Sequence, residues 1–401
     1  RDLALFGIKT QTTDTEIAEN ELYNQAYEDI RKINFNSIFA NKISNYVANE
    51  SAISIDNSSK RGELLQDVVA KIDKDKKKIT NRMLGTGGVV LVPYVADKQV
   101  YYNIVPQFRL NINETKGNKI INATILADIK KVKEGFVTKA YYRWTNEEVR
   151  EGKIYITQKY TDEYGNQIPK PECYKSITKD QIIIPNVDRC LFGYFKSPVD
   201  NRRTTNDYGV PITYGCGSTI NEIYECLVQV RREYQLKEAF VGADSTMFDG
   251  KDALPTNGLY RKVDSGDDTF WEVFDPSIRD SSFYARLQEL YERLEKQVGT
   301  SKGILSTPET QNATATEIKK AMYDTYTIVE DTREQFEKGM EDFTYACDIY
   351  ANYYQLGAMG EFKIIYDWSS DLLENTQETW SQLLAGLNEG VVDEVEIRQF
   401  L

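Results

Sequence analysis

The chain has 401 residues, of which 41% are hydrophobic, and a formal net charge of −13. It is long enough for two or three domains and apolar enough to build a core, which excludes wholesale disorder. Its acidity disfavours tight general DNA binding, no apolar run approaches the eighteen or so residues of a membrane span, and the absence of histidine removes Ser–His–Asp and Cys–His nucleophiles, His-ligated zinc and the commonest general base.

The acidic balance suits solubility, and it also suits a surface along which DNA slides without sticking. No secretory signal precedes the first helix, and Arg1 is not an initiator Met, so the numbering is expected to begin inside a longer chain. The five cysteines, Cys173, Cys190, Cys216, Cys226 and Cys347, contain no CxxC pair and read as reduced, mostly buried thiols. Tyrosine is abundant, with 27 copies; it fits subunit interfaces, or follows from a composition also rich in Asn, Ile and Lys.

In chain order, the apolar spacing predicts a helix over 14–50, broken near Asn34 to Asn36, then a turn around 56–62 and a second helix over 63–84. The small-residue stretch from Gly85 to Gly88 leads into a strand at 89–92, with 101–106 as its hairpin partner. Further strands are expected at 120–131, 136–144, 153–160 and 181–184, and a loop at 201–209. A helix follows, capped by a Thr219/Glu222 box and ending near Gly242. Residues 243–278 are turn-rich, with short strands at 258–263 and 269–274. The next helix is capped by Ser281 or Ser282, and 299–313 is a loop of small and polar residues. Thr314 and Glu317 form another capping box, launching a helix of about forty residues, roughly 60 Å long, to Tyr354. Gly339 inside it is read as a possible bend. A strand at 362–366, a turn at 367–371 and a helix over 374–387 close the chain. The fold class is therefore α+β.

Four stretches invite a chemical reading. The run from Gly85 to Gly88 lacks the Lys-Ser/Thr of a phosphate-binding loop and precedes a strand, which favours a plain turn. The acidic pairs Asp267/Asp268 and Asp367/Asp371 have no metal-loop pattern and read as solvated carboxylates. The basic run Lys71, Lys74, Lys76, Lys77, Lys78 and Arg82 lies on an amphipathic helix, where a solvated face is favoured over nucleic-acid contact. In the long helix Met322, Val329, Phe336, Phe343 and Tyr350 recur every seven residues, but Thr325, Thr332 and Gly339 occupy the second seam, so packing on its own subunit and neighbours is favoured over a coiled coil.

The order of these parts resembles the portal proteins of tailed bacteriophages, in the long-tailed, Gram-positive-infecting style. The resemblance is carried by LGTGGVVLVPYV at 84–95 followed by VYYNIVP at 100–106, by DYG at 207–209 before the helix at 218–240, by the helix at 280–298, by the loop before ATATEI at 313–318, and by 363–371, LLAG at 383–386 and 392–398. It runs over most of 60–401, and departs in ending at Leu401, where many relatives carry more crown and an acidic tail.

The resemblance implies a portal fold: a wing over 1–217, a stem helix at 218–240, a clip at 241–279, a second stem helix at 280–298, a tunnel loop at 299–313, a long helix at 314–360 leading toward a short crown, and a closing strand and helix at 361–401. It implies that Lys302, Thr307, Gln311 and Asn312 face DNA, and that Phe248, Lys251, Asp252 and Arg261 of the clip meet the terminase or adaptor. The expected partners are identical subunits in a ring of about twelve, double-stranded DNA without sequence specificity, the major capsid protein and scaffold, the large terminase and a head-completion adaptor. Membrane, cofactor, metal and catalysis are not expected. The place of action is the portal vertex of a virion assembled in a bacterial cytoplasm. Another phage structural or minor head protein, or a carboxylate–metal phosphodiesterase, are the alternatives.

Overall fold

A Ser before an amphipathic run and a Gly after it set one helix of the chain. The structure, a computed structural model, describes residues 32–49, 51–56, 58–134, 137–175, 177, 179–202, 208–236, 240–244, 246, 260–263, 271–274, 280–307 and 322–368. Helix α1 is Phe35–Ala48, strand β1 is Ala52–Ile55 and helix α2 is Lys60–Thr86. The Ser59 hydroxyl accepts the Gly62 N–H at 3.0 Å and caps α2. At its other end Gly87 takes the left-handed conformation, φ 89°, and ends the helix. The helix-to-strand turn falls within the small-residue stretch but is narrower than its composition suggests: Gly85 and Thr86 are still helical and Gly88 already opens the strand.

Strands β2, Gly88–Ala96, and β3, Gln99–Pro106, form a hairpin. Its two loop residues, Asp97 and Lys98, both have positive φ (49° and 61°), the geometry that matches the twist of paired strands. Next come β4 Leu110–Lys116, β5 Lys119–Glu134, β6 Val137–Arg150, β7 Lys153–Thr161, β8 Gln167–Ile168, β9 Gln181–Pro185 and β10 Gly193–Lys196. Helix α3 is Gly217–Leu236; strands β11 Phe240–Asp244, β12 Tyr260–Val263 and β13 Trp271–Phe274 follow. Helix α4 is Asp280–Val298, helix α5 is Tyr323–Tyr353, and β14 is Ile364–Asp367.

The chain divides into two compact units. The larger holds 36–214, 298–304 and 308–401. In it β10-β2-β3 make one antiparallel sheet, β4 to β8 make a meander with β9 paired to β7, and β1 pairs with β14. Val90, Val105, Leu110, Ile112, Ala123, Ile125, Cys190 and Phe192 form one core cluster, which joins the hairpin to the meander. Ile154, Ile156, Ile184, Val187 and Leu191 form another against Ala346 of α5. Helix α5 lies along β10, where Phe195 meets Phe336 with ring centroids 5.0 Å apart. Of its seam residues Val329, Phe336 and Phe343 are buried and Met322 and Tyr350 half-buried; Met340, Cys347, Thr325, Thr332 and Gly339 are buried as well. Most of the helix's apolar stripe is thus buried within the chain itself. Thr332 and Thr344 satisfy their hydroxyls by donating to the carbonyls of Ile328 and Met340.

The smaller unit holds 1–35, 215–297 and 305–307. Its helices α3 and α4 run antiparallel: Glu222 meets Arg286 and Arg293, while Cys226 and Gln229 share a cleft with Ser282 and Phe283. Ile223, Val228, Leu290 and Leu294 are buried there. The Phe35 ring sits 5.7 Å from that of Tyr224 and 6.4 Å from that of Tyr291. Between α3 and α4 in sequence lies a three-stranded sheet, with β11 central, parallel to β12 and antiparallel to β13.

Several boundaries differ from the sequence reading. Helix α3 starts at Gly217, so Thr219 is a buried residue within the helix and not its cap. It ends at Leu236, and residues 240–244 are strand, because β11 finds two partners that local spacing does not reveal. Helix α4 already includes Asp280, so Ser281 and Ser282 are inside it. Helix α5 starts at Tyr323 after Met322, whose φ of −94° and ψ of 0° are not helical, so it has 31 residues and a length of about 47 Å. It runs unbroken through Gly339. Residues 14–31, the Thr314/Glu317 box and the rest of the turn and the helix expected after Trp368 lie outside the described residues.

Candidate functional site

The polar loop after α4 holds Lys302 and Thr307, two of the residues that the resemblance implies face DNA. Its two halves are held separately. In the larger unit Ser301 and Thr325 exchange hydrogen bonds: the Ser301 N–H donates to Thr325 Oγ1 at 2.9 Å, and the Thr325 N–H donates to Ser301 Oγ at 3.2 Å. Thr325 lies in the first turn of α5, whose N–H groups have no partner within the helix. Met322, at the cap position, makes no side-chain cap bond, so Ser301 supplies one from 24 residues upstream.

In the smaller unit Glu295 of α4 is fully buried. Its carboxylate accepts the N–H groups of Leu305 at 2.6 Å and Ser306 at 3.1 Å, and the Ser306 hydroxyl at 2.5 Å. Three donors on one acid satisfy polar atoms that burial would otherwise leave unpaired. The Thr307 N–H donates to Gln288 Oε1 at 2.9 Å, and its hydroxyl lies 3.2 Å from the Tyr284 hydroxyl. Residues 305–307 are thereby fastened to α4.

Exposure within the loop is selective. Thr300, Ser301 and Ser306 are buried, whereas Lys302, Gly303 and Thr307 are exposed. Lys302 is the single cation of the described loop. Chemically this is a pinned polar turn. In the larger unit it carries one positive charge, at Lys302, and in the smaller unit the Thr307 hydroxyl lies beside that of Tyr284.

The other expected site residues fall elsewhere. Gln311, Asn312, Phe248, Lys251 and Asp252 lie outside the described residues, and Arg261 is in β12. Of the acidic pairs, Asp367 is in β14 opposite Ala52, and Asp267, Asp268 and Asp371 lie outside. No group of three potential metal ligands occurs among the described residues. In the basic run, Lys76 departs from a solvated face: it is buried and donates to the Ser51 carbonyl and, at 2.9 Å, to Asp73.

Sequence reasoning missed Glu295. The signal was present: Glu295 follows Tyr291 by four and precedes Val298 by three, placing an acid on the apolar stripe of α4. Glu147, an acid buried in β6 that accepts the Leu191 N–H at 2.6 Å, was missed too, and its same-face neighbours Arg143, Thr145 and Val149 give no such signal. Burial pushes its carboxyl up to about 7, and the Leu191 hydrogen bond opposes that rise.

No protein-family model and no curated protein matches this sequence. Among solved structures the chain is similar to a chain in the virion of a native gene transfer agent particle, with 11% identity, 91% of this chain and 88% of that chain covered, and a TM-score of 0.44. It is also similar to a chain in the neck of a native gene transfer agent particle computed with C12 symmetry, with 10% identity, the same coverage and a TM-score of 0.41. Likeness of that extent does not bear on what the chain does.

Proposed function

We propose that this chain is a portal subunit: a non-enzymatic component of a ring through which double-stranded DNA enters and leaves a phage-type head. The observation that carries the reading is the sequence of parts from 217 to 353. An antiparallel helix pair is interrupted by a small three-stranded sheet, and is followed by a pinned polar loop and a 31-residue helix. In this reading α3 and α4 are the stem, β11 to β13 belong to the clip, and the loop faces the channel. Terminase and the head-completion adaptor meet the clip in turn, and capsid protein and scaffold meet the wing. The place of action is the virion's portal vertex.

The physics of the loop supports that role. DNA moving through a channel must be guided without being held. Each phosphate neutralised by a fixed cation adds salt-dependent affinity, so one Lys per subunit on a pinned backbone gives a weak, evenly repeated contact. A chain with net charge −13 adds no general attraction for the duplex. Closed cyclic symmetry multiplies a small contact by the number of subunits.

The test is the assembly state of the purified protein, by mass photometry and axial-view electron microscopy. A ring near twelve times 46.1 kDa, or of a neighbouring order, is the expected outcome. A stable monomer under every assembly condition overturns the reading. Changing Lys302 and Asn312 to Ala is expected to leave the ring intact and to alter DNA packaging or retention. Collapse of the ring in that variant would make the loop a structural element.

A further inference from the structure

Helix α2 and strand β3 enclose a groove of about 590 Å³ in the larger unit. Its helix wall is Lys71, Lys74, Asp75, Lys78 and Arg82, spaced to share one face. Its strand wall is residues 101–104 of β3. Consecutive strand residues point to opposite faces of a sheet. A groove that meets four in a row therefore follows the strand's edge.

That edge is open. β3 is the outer strand of β10-β2-β3, and its outward backbone groups bond to no other backbone among the described residues. On the helix wall Asp75 is engaged, accepting the Tyr102 hydroxyl at 2.9 Å across the groove, while three of the cations beside it are not. Lys74, Lys78 and Arg82 are exposed and make no ion pair among the described residues, in a chain of net charge −13. Lys71 sits 4.5 Å above the Tyr101 ring, at the groove's end.

We propose that this groove takes an extended acidic segment of a partner protein as an added strand on β3, with its carboxylates paired to Lys74, Lys78 and Arg82. The two walls ask for complementary things: the strand edge asks for a peptide backbone, and the helix stripe asks for anions. Strand addition supplies directional main-chain hydrogen bonds, and side chains beside the strand supply selectivity. A nucleic acid fits less well. It brings no strand edge, and it finds no open ring at Tyr101, which is stacked on Tyr94 at 5.7 Å and covered by Lys71. Lysines beside a strand edge can instead act only as guards against unwanted pairing, and that is the competing outcome. The proposal uses only residues of the larger unit and stands or falls apart from the portal reading.

The test uses the full chain and a fluorescein-labelled peptide of alternating Glu and Val, followed by anisotropy at fixed salt and by amide exchange. Binding is expected, together with slowed exchange at residues 101–104. Affinity is expected to fall about tenfold or more for a K74E/K78E variant of unchanged melting temperature, and by a similar factor when alternate peptide nitrogens are methylated. Three results overturn it. The peptide fails to bind, which leaves the lysines as guards. It binds with no dependence on Lys74, Lys78 or its own N–H groups. Or a DNA duplex binds with the lysine dependence that the peptide lacks.

Discussion

Gly339 of α5 lies directly under the ring of Phe195: a Cβ on the glycine would come within 2.6 Å of the ring's Cγ and 2.7 Å of its Cδ1. Gly193, two residues before Phe195, makes the reciprocal approach, where a Cβ would meet Phe343 Cβ at 2.5 Å and the Gly339 carbonyl oxygen at 2.7 Å. Two glycines thus set how closely the helix and β10 approach. A helix-interior Gly ordinarily costs about 1 kcal/mol relative to Ala, so at an open position Gly339→Ala would stabilise. Here the added methyl has no space, and overpacking costs about 1–3 kcal/mol. The expected outcome is a net loss of up to about 2 kcal/mol, read as a lower urea midpoint at unchanged slope. Phe195→Leu in the same chain should recover part of it, because the two sites share one contact.

The helix pair of the smaller unit makes a graded prediction. Leu294 is fully buried and Leu287 only half-buried, although both sit on the apolar stripe of α4. An unpaired carboxylate at a buried site carries a large desolvation cost, and one near the surface can reach water. Leu294→Asp is expected to abolish soluble folded protein or lower the melting temperature severely. Leu287→Asp is expected to give a folded protein with a smaller loss. Equal effects at the two positions would mean that α4 is rotated from the packing described.

What could be read from the sequence follows from how local each signal is. The body of α2, the β2–β3 hairpin, strands β5, β6, β7 and β9 and the stripe of α5 are all legible, because spacing and turn chemistry are properties of neighbouring residues. β1, β4 and β10 are not. Ala52–Ile55 has four residues and finds its partner at Ile364–Asp367, near the far end of the described chain. Leu110–Lys116 is largely polar, with only Leu110 and Ile112 buried. Gly193–Lys196 is fixed by β2 and by the passage of α5. Capping residues fail for a related reason. Thr219, Ser281 and Ser282 have the right chemistry, yet the helices start one or two residues earlier. The loop's anchors Glu295 and Ser301 act across 10 and 24 residues, a distance that no spacing rule covers.

The loop makes its own prediction through Glu295. Glu295→Ala removes the acceptor for Leu305 and Ser306 and strands two backbone N–H groups. A buried unsatisfied donor costs about 1–3 kcal/mol, and the cheaper escape is for residues 305–307 to leave α4 for water. Limited proteolysis is expected to cut the variant faster than wild type in this segment, with α4 itself still protected. Gln288→Ala, which removes only the acceptor for the Thr307 N–H, should have the smaller effect. Proteolysis unchanged in both variants would mean that the loop is held by other contacts.

The buried carboxyl of Glu147 gives the chain a pH dependence whose sign can be worked out. An unfolded Glu titrates at about 4.3. In the folded protein burial pushes the group up to about 7, against the opposing pull of the Leu191 N–H. Between those values the native chain keeps a proton that the unfolded chain has released, so stability falls as pH rises. This contribution is fully present below the unfolded value and is gone once pH has passed the folded one. Its size is on the order of 3 kcal/mol. Glu147→Gln keeps an oxygen to accept from Leu191 and cannot ionise. The variant is expected to match or trail wild type near pH 4 and to exceed it above pH 7. The difference in urea unfolding free energy between the two should widen across the interval and level off above it. Taking the difference cancels the other carboxylates of this acidic chain, since both proteins carry them. A difference that is flat with pH would mean that Glu147 is ionised in the native state throughout and that the Leu191 hydrogen bond outweighs its burial.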